Sequence, residues 1–261
     1  MSNDKLKSRL KEKAQAPKPE PEERIATMST TEKTPVQSGY LALSTNAMDI
    51  INENLKNQPL SLALFDVVKA PSGGTTAFSV PSITGDEIEK ELVGIILDYT
   101  TPRAYWEGSS DPIEGTPPDC YSSDSVISHD GKACNQCVYN DFGSKDGGES
   151  KGKACKESVQ LYLLRPDNII PLIVRVPVSS KMLFLKYSTR LVSTMTPISS
   201  VVTRITLEKA INKTGQPYAQ YKFEAINTLN PEEAVIAKSF GQKFIEMLNA
   251  APIESALVEV T

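Results

Sequence analysis

The sequence predicts a β-rich α+β fold: an OB-like antiparallel barrel or sheet that carries a zinc-binding loop insertion and ends in a C-terminal helix. Three observations predict it. Short runs of β-branched, aromatic and aliphatic residues recur from Leu60 to Ile226. Between them, Glu107 to Lys156 is a long stretch of Gly, Ser, Asp and Pro with almost no aliphatic residues and all four cysteines of the chain. A helix-start signal, Asn230-Pro231 followed by Glu232-Glu233, precedes the last apolar periodicity.

The 261 residues suffice for one large domain, and 39% hydrophobic residues suffice for a core. Residues 1–39 lack apolar periodicity and are rich in Lys, Glu, Pro, Ser and Thr, which reads as a disordered charged arm. A single domain is expected over 40–249, with the zinc-binding insertion at 107–158 and a flexible tail at 250–261. No apolar run is long enough to span a membrane and the N-terminus has no signal-peptide pattern, so a cytoplasmic protein is expected.

Within the domain, a short helix is expected over Ala47 to Leu55 and strands at Leu60 to Val68 and Thr76 to Val80. A longer strand, Leu92 to Trp106, should lead directly into the cysteine region. Strands resume at Val159 to Leu164, Ile169 to Val176, Val201 to Ala210 and Tyr218 to Ile226. Ser180 to Val192 repeats Leu183, Tyr187 and Leu191 at helical spacing. In the last helix Ala234, Ala237, Phe240, Phe244 and Leu248 fall on one face.

Cys120, Cys134, Cys137 and Cys155 follow the spacing C-x13-C-x2-C-x17-C. The central Cys134-Asn135-Gln136-Cys137 lets two sulfurs face one tetrahedral ion at about 2.3 Å, and the outer two complete a closed shell. In a reducing cytosol, clustered cysteines are metal ligands more often than disulfides. The competing readings are a redox CxxC, which normally opens a helix after a strand, and four unrelated buried thiols. His129, the single histidine, lies in the same loop and is a candidate replacement for one cysteine. Four thiolates leave no open coordination position, which points to a structural zinc rather than a hydrolytic one.

The net charge of −4 conceals a polarity. From Leu92 to Ser150 three basic residues face ten acids, a balance of −7. From Lys151 to Lys222 twelve basic residues face three acids, a balance of +9. The basic stretch coincides with the strands and interleaves cations with aromatic rings. Lys151, Lys153 and Lys156 surround the last cysteine, followed by Tyr162, Arg175, Arg204, Tyr218, Tyr221 and Lys222. Arg103, Tyr105 and Trp106 form a further group upstream. Single-stranded nucleic acid wants this mixture, because cations track phosphates and each ring offers a base a stacking surface. Strand alternation puts Arg204 and Thr206 with Val202 on one face and Ile205 and Leu207 on the other. Likewise Tyr221 pairs with Phe223 while Lys222 points away from them, so these residues cannot all line one groove.

The fragments DYTTPRAYW, PPDCYSSD, CNQC, NDFGS and GKACKES, together with VVTRITLEKA and GQPYAQYKFEAI, resemble proteins of phages and integrated mobile elements over roughly Leu92 to Leu248. The resemblance is to a zinc-containing, single-stranded DNA-binding-like family. It implies an OB fold with a structural zinc and a role in DNA replication or recombination inside a bacterial cell. Single-stranded DNA or RNA and replication or recombination proteins are the implied partners. The segment Ala251 to Thr261 carries only Glu254 and Glu259, which departs from the dense acidic tail that many such proteins use.

Two other classes compete. An enzyme such as a nuclease needs converging carboxylates. Asp111, Asp119, Asp124, Asp130, Asp141 and Asp146 lie instead in the cysteine loop, and no GxxxxGK[ST] or HExxH motif is present. A zinc-stabilised interaction protein without catalysis is the remaining alternative. Three roles are open to the first ninety or so residues: completing the barrel, self-association into a homo-oligomer, or covering the groove.

Overall fold

In a computed structural model of the chain, residues 39–44, 47–56, 58, 60, 62–108, 116–145, 152–212 and 215–250 are described. The expected arm (residues 1–38 of it) and most of the expected tail (251–261) lie outside the described residues, as does Lys151.

The chain opens with two short helices, α1 (Leu41–Ser44) and α2 (Ala47–Leu55). The expected first strand shrinks to β1 (Val67–Val68), because Leu62–Leu64 forms a 3-10 turn instead. Next come β2 (Phe78–Val80) and β3 (Glu87–Glu89), which pair as a small hairpin of their own. The long apolar run then becomes β4 (Glu91–Thr100) and a separate β5 (Arg103–Tyr105). The single strand expected over Leu92 to Trp106 is thus broken at Thr101-Pro102. Proline has no N–H for a ladder and restricts the residue before it, so the chain turns out of the sheet there. The cysteine region contributes β6 (Cys120–Ser122) and β7 (Lys156–Glu157). The remaining elements are β8 (Val159–Leu164), β9 (Leu172–Val176), helix α3 (Val178–Ser193), β10 (Val201–Ile211), β11 (Pro217–Thr228) and helix α4 (Pro231–Ala250).

A six-stranded sheet in the order β1-β9-β8-β4-β10-β11 forms the body, antiparallel except where β1 runs parallel to β9. Its end strands are not paired with each other, so the β-rich α+β architecture is present but the sheet does not close into the expected barrel. The cause is burial on both faces. Every residue of β8, the run VQLYLL, is buried, as a strand covered on both sides requires. On one face α3 lays Phe184, Tyr187 and Leu191 against Leu161, Val174, Ile205 and Tyr221. On the other, α4 lays Ala237, Phe240 and Phe244 against Ile95, Leu97, Tyr162 and Ile173, joined by Tyr40 and Ala47. Fully burying each such side chain stabilises by about 1.5–3 kcal/mol.

Local features lock these layers together. A bulge at Leu97, skipped in the β4–β8 register, reverses the alternation of β4. Tyr99 therefore reaches the α3 face, where its ring meets Phe184 edge-on at 4.8 Å. Gly94 lets β4 approach β8 so closely that a Cβ there would lie 2.5 Å from the Leu164 carbonyl oxygen. Helix α4 starts with a capping box: Asn230 Oδ1 accepts from Glu233 N at 2.8 Å, and Asn230 N donates back to Glu233 Oε2. The outer edge of β11 is guarded by α3, where Ser180 Oγ accepts the Tyr221 N–H at 3.0 Å. Among the described residues, no helix is long and apolar enough to cross a membrane.

Candidate metal centre

β5 sits at the middle of a three-stranded sheet, β6-β5-β7. Its register puts Tyr105 opposite Cys120 on one side and Ala104 opposite Lys156, next to Cys155, on the other. The buried Ala104 anchors this strand, and Ser158 N donates to Pro102 O to hold the return strand beside it. Cys134 and Cys137 arrive on a 3-10 turn, Cys134–Gln136. That turn is fixed by Cys134 N to Val126 O at 2.9 Å and by the Asn140 amide to Cys134 O at 2.9 Å. Cys155 is placed by its N–H to Tyr139 O at 2.8 Å.

Four thiols from separated stretches of chain thus line one cavity of about 40 Å³, together with Arg103, Tyr105, Tyr121, Lys132, Tyr139 and Asn140. None of the four is in a disulfide. A space of this size takes an atom-sized guest, whereas organic ligands occupy about 300–1,000 Å³. Burial pushes the Cys155 thiol up to about 11, with Cys137, Cys120 and Cys134 adding to the rise and the Arg103 guanidinium opposing it. Burial also raises Cys120, helped by Asp130, Cys137 and Cys134. Crowded thiols that discourage one another's ionisation are what a dication relieves, since thiolates bind metal and release protons as they do so.

The donor types therefore suit zinc, but the four sulfurs do not close on one point. No three of the sulfurs lie mutually within 4.8 Å. The group of donor atoms that does is Cys120, His129 and Asp130. Closing four thiolates on one ion would need the loops to draw inward. His129 is positioned for Cys120 by two contacts: its N–H donates to Tyr121 O at 2.9 Å, and its ring stacks on Tyr121 with centroids 4.6 Å apart. Asp130 is engaged by Lys132 at 2.6 Å and by Ser128, which together hold its carboxyl down at about 2.

The sequence missed the polar frame around the thiols. Asn140 joins the turn to the sheet by accepting from Arg103 and from Lys153 Nζ while donating to Cys134 O. Arg103 pairs with Glu157 at 2.8 Å, and Glu157 also receives Lys181 from α3. An asparagine shortly after a CxxC was the signal available, though many loops carry one.

The candidate nucleic-acid residues scatter. Trp106 is 5% exposed and donates its indole N–H to Thr116 O at 2.9 Å. Tyr162 and Tyr221 lie inside the two cores. These three rings offer no face to a base, which corrects their assignment as stacking platforms. Arg103 is turned inward to the thiols and Glu157, so it too is not a phosphate contact. Tyr105 stacks on Tyr139 at 3.9 Å beside the cavity, and burial with the Tyr139 contact raises its hydroxyl to about 12. Arg175 is half-buried on β9, and its carbonyl accepts the Tyr221 hydroxyl at 3.1 Å. Tyr218 is half-buried at the start of β11.

On the sheet face away from α3, the cations are answered by acids. Arg204 meets Glu91 at 3.1 Å and Glu224 at 3.6 Å, and Lys222 meets Glu208 at 3.0 Å. Arg165 meets Glu89 at 2.9 Å. The open depression there, about 360 Å³, is lined by Glu89, Glu91 and Asp167 against Arg165. Glu89, Glu91 and Glu224 come from outside the basic stretch, so folding cancels much of the charge that the linear count reports. Lys153 and Lys156 lie on the cysteine module, Lys153 over the Phe142 ring and Lys156 over Trp106.

No protein-family model, curated protein or solved structure matches the chain.

Proposed function

We propose that this protein is a non-catalytic single-stranded DNA-binding protein of phage or mobile-element replication and recombination, working in the bacterial cytoplasm. In this reading Cys120, Cys134, Cys137 and Cys155 hold a structural zinc ion. The observation that carries it is the convergence of four unbridged thiols on one ion-sized cavity. When bound, the ion supplies cross-linking: it ties three stretches of loop that have little apolar core of their own to β5. Arg103 and Lys132 offset the charge of the thiolates, and Asn140 sets the loop geometry. The DNA-binding part is supported by the family resemblance and by lysines and exposed rings on the cysteine module.

A second reading, a zinc-stabilised interaction protein, is favoured by one specific observation: Val126, Ile127 and Val138 are exposed on the same module. Where such side chains join into one contiguous apolar patch, they mark a protein contact.

The test is fluorescence anisotropy with a labelled single-stranded oligonucleotide at two salt concentrations, with duplex DNA and single-stranded RNA as competitors, alongside metal analysis. One zinc per chain and binding that weakens with salt yet resists duplex competition are expected. A zinc-replete protein that ignores single strands at low salt would move the assignment to the interaction reading. A metal-free, fully folded protein would remove the zinc centre.

A further inference from the structure

The cysteine module exposes two rings, Phe142 and Tyr139, that the sequence-derived set did not include. The chain over 138–145 and 152–155 forms two arms joined by hydrogen bonds. Gly143 N and Lys145 N both donate to Gly152 O, and Cys155 N donates to Tyr139 O. Phe142 stands on the first arm with 83% of its surface in water. A phenylalanine so placed contributes nothing to the core, and turn positions are ordinarily polar.

Its surroundings narrow what it serves. Lys153 Nζ lies 4.6 Å from the Phe142 ring centroid and is held there by Asn140 Oδ1 at 3.0 Å. Asn140 is itself bonded to the backbone of Cys134 and Cys137. The ring and its cation are therefore positioned by the same backbone that carries two candidate zinc ligands. Beside them Tyr139, 39% exposed, is backed by Tyr105 in a near-parallel stack. Lys145 ends the first arm, whereas Lys156, opposite Ala104 in the register and over the Trp106 ring, lies on the other face of the three-stranded sheet. Among the described residues, Asp141 on the first arm is exposed, and Glu157 beside the arms is engaged by Arg103 and Lys181. On the sheet, by contrast, the rings of Tyr162 and Tyr221 are buried.

We infer that a single strand of DNA is gripped by this face of the cysteine module, with Phe142 and Tyr139 as stacking platforms and Lys153 as a phosphate contact. The inference rests on the single-stranded DNA-binding reading and names the surface that performs it. A polyanion with π faces answers both components: its phosphates meet the lysine and its bases meet the rings. Zinc enters indirectly, since the loop that carries Phe142 is anchored through Asn140 to the turn between Cys134 and Cys137.

The experiment uses the full-length, zinc-replete protein and a labelled oligothymidine, read by anisotropy across a salt series. Phe142→Ala is expected to weaken binding about 10-fold or more, because stacking contributes about 1–3 kcal/mol per base. Its salt slope should stay that of the wild type, since no charge is lost. Phe142→Trp should restore the affinity. Lys153→Gln should weaken binding and lower the salt slope by about one. Lys222→Gln, on the sheet, should bind as the wild type does. Zinc content and circular dichroism of each variant check that the module is intact.

Wild-type binding with an unaltered Phe142→Ala protein overturns this inference alone. So does a Lys222→Gln loss as large as that of Phe142→Ala, which places the strand on the sheet. A wild-type protein that binds no single strand removes the functional reading itself, and this surface with it.

Discussion

Replacing Arg103 by methionine tests how the cysteine module is joined to the rest of the molecule. The Arg103 guanidinium meets Glu157 Oε2 at 2.8 Å and also donates to Asn140 Oδ1. The two charged side chains are only 11% and 14% exposed. Removing one partner of a buried pair costs about 3–5 kcal/mol, because the other charge is left without compensation. Here each abandoned group keeps one partner: Glu157 retains Lys181, and Asn140 retains Lys153. The expected loss is therefore lower, about 2–3 kcal/mol. Methionine keeps most of the apolar stem, so lost packing adds little. Chemical denaturation of the zinc-replete protein, followed by Trp106 fluorescence and circular dichroism, measures it. Trp106, the single tryptophan, is buried one residue after β5 and reports on this region. Arg103 also opposes the rise of the Cys155 thiol, so the variant should surrender zinc to a chelator sooner at neutral pH. A stability loss below about 0.5 kcal/mol, the ordinary range for a surface change, would refute the reasoning.

Other expectations follow from particular contacts. Gly94→Ala would set a Cβ 2.5 Å from the Leu164 carbonyl oxygen and 2.8 Å from Leu163 Cγ, and backbone in a central strand cannot yield cheaply. A loss of about 2–4 kcal/mol is expected, whereas Gly241→Ala, with its nearest contact at 3.2 Å, should cost clearly less in the same thermal melts. Asn230→Ala removes the Oδ1 half of the α4 capping box, leaving the backbone N–H of residue 230 to Glu233, and should cost about 1 kcal/mol, with Asn230→Asp recovering most of it. Burial raises Tyr40 to about 12, and Tyr187 and Tyr221 also shift upward by burial. Because the folded values lie above the unfolded value of about 10, this contribution is complete below pH 10 and is lost as pH rises towards about 12. Denaturation midpoints across that window should fall, and less so in Tyr221→Phe. A flat profile would mean that these hydroxyls titrate as in the unfolded chain.

Much of the local structure was legible in the sequence because it depends on near neighbours. Helix α2, strand β8 and the start of α4 at Asn230-Pro231 lie where periodicity and capping residues put them. The alternation that set Tyr221 and Phe223 apart from Lys222 also holds, with Tyr221 and Phe223 in the core and Lys222 in solvent. The long cysteine loop was recognisable from composition, and its four thiols do meet at one cavity. Strand β3 was not legible, since Glu-Ile-Glu has little apolar content and gains its partner only from β2. The expected barrel failed for a related reason: alternation marks one apolar face of a strand, but not how many layers will cover the sheet.

Local chemistry thus determined the elements, the caps and the set of candidate metal ligands. Tertiary structure alone decided which charges and rings remain available. The basic stretch after Lys151 looked like a binding strip because its neutralising glutamates, Glu89, Glu91 and Glu224, are remote in sequence and meet Arg165 and Arg204 across strands. Trp106, Tyr162 and Tyr221 were equally ambiguous until a second layer covered them. Phe142, unremarkable in the linear chain, stays in water because the module that carries it is held together by polar contacts around the cysteines and has little apolar core to draw the ring inward.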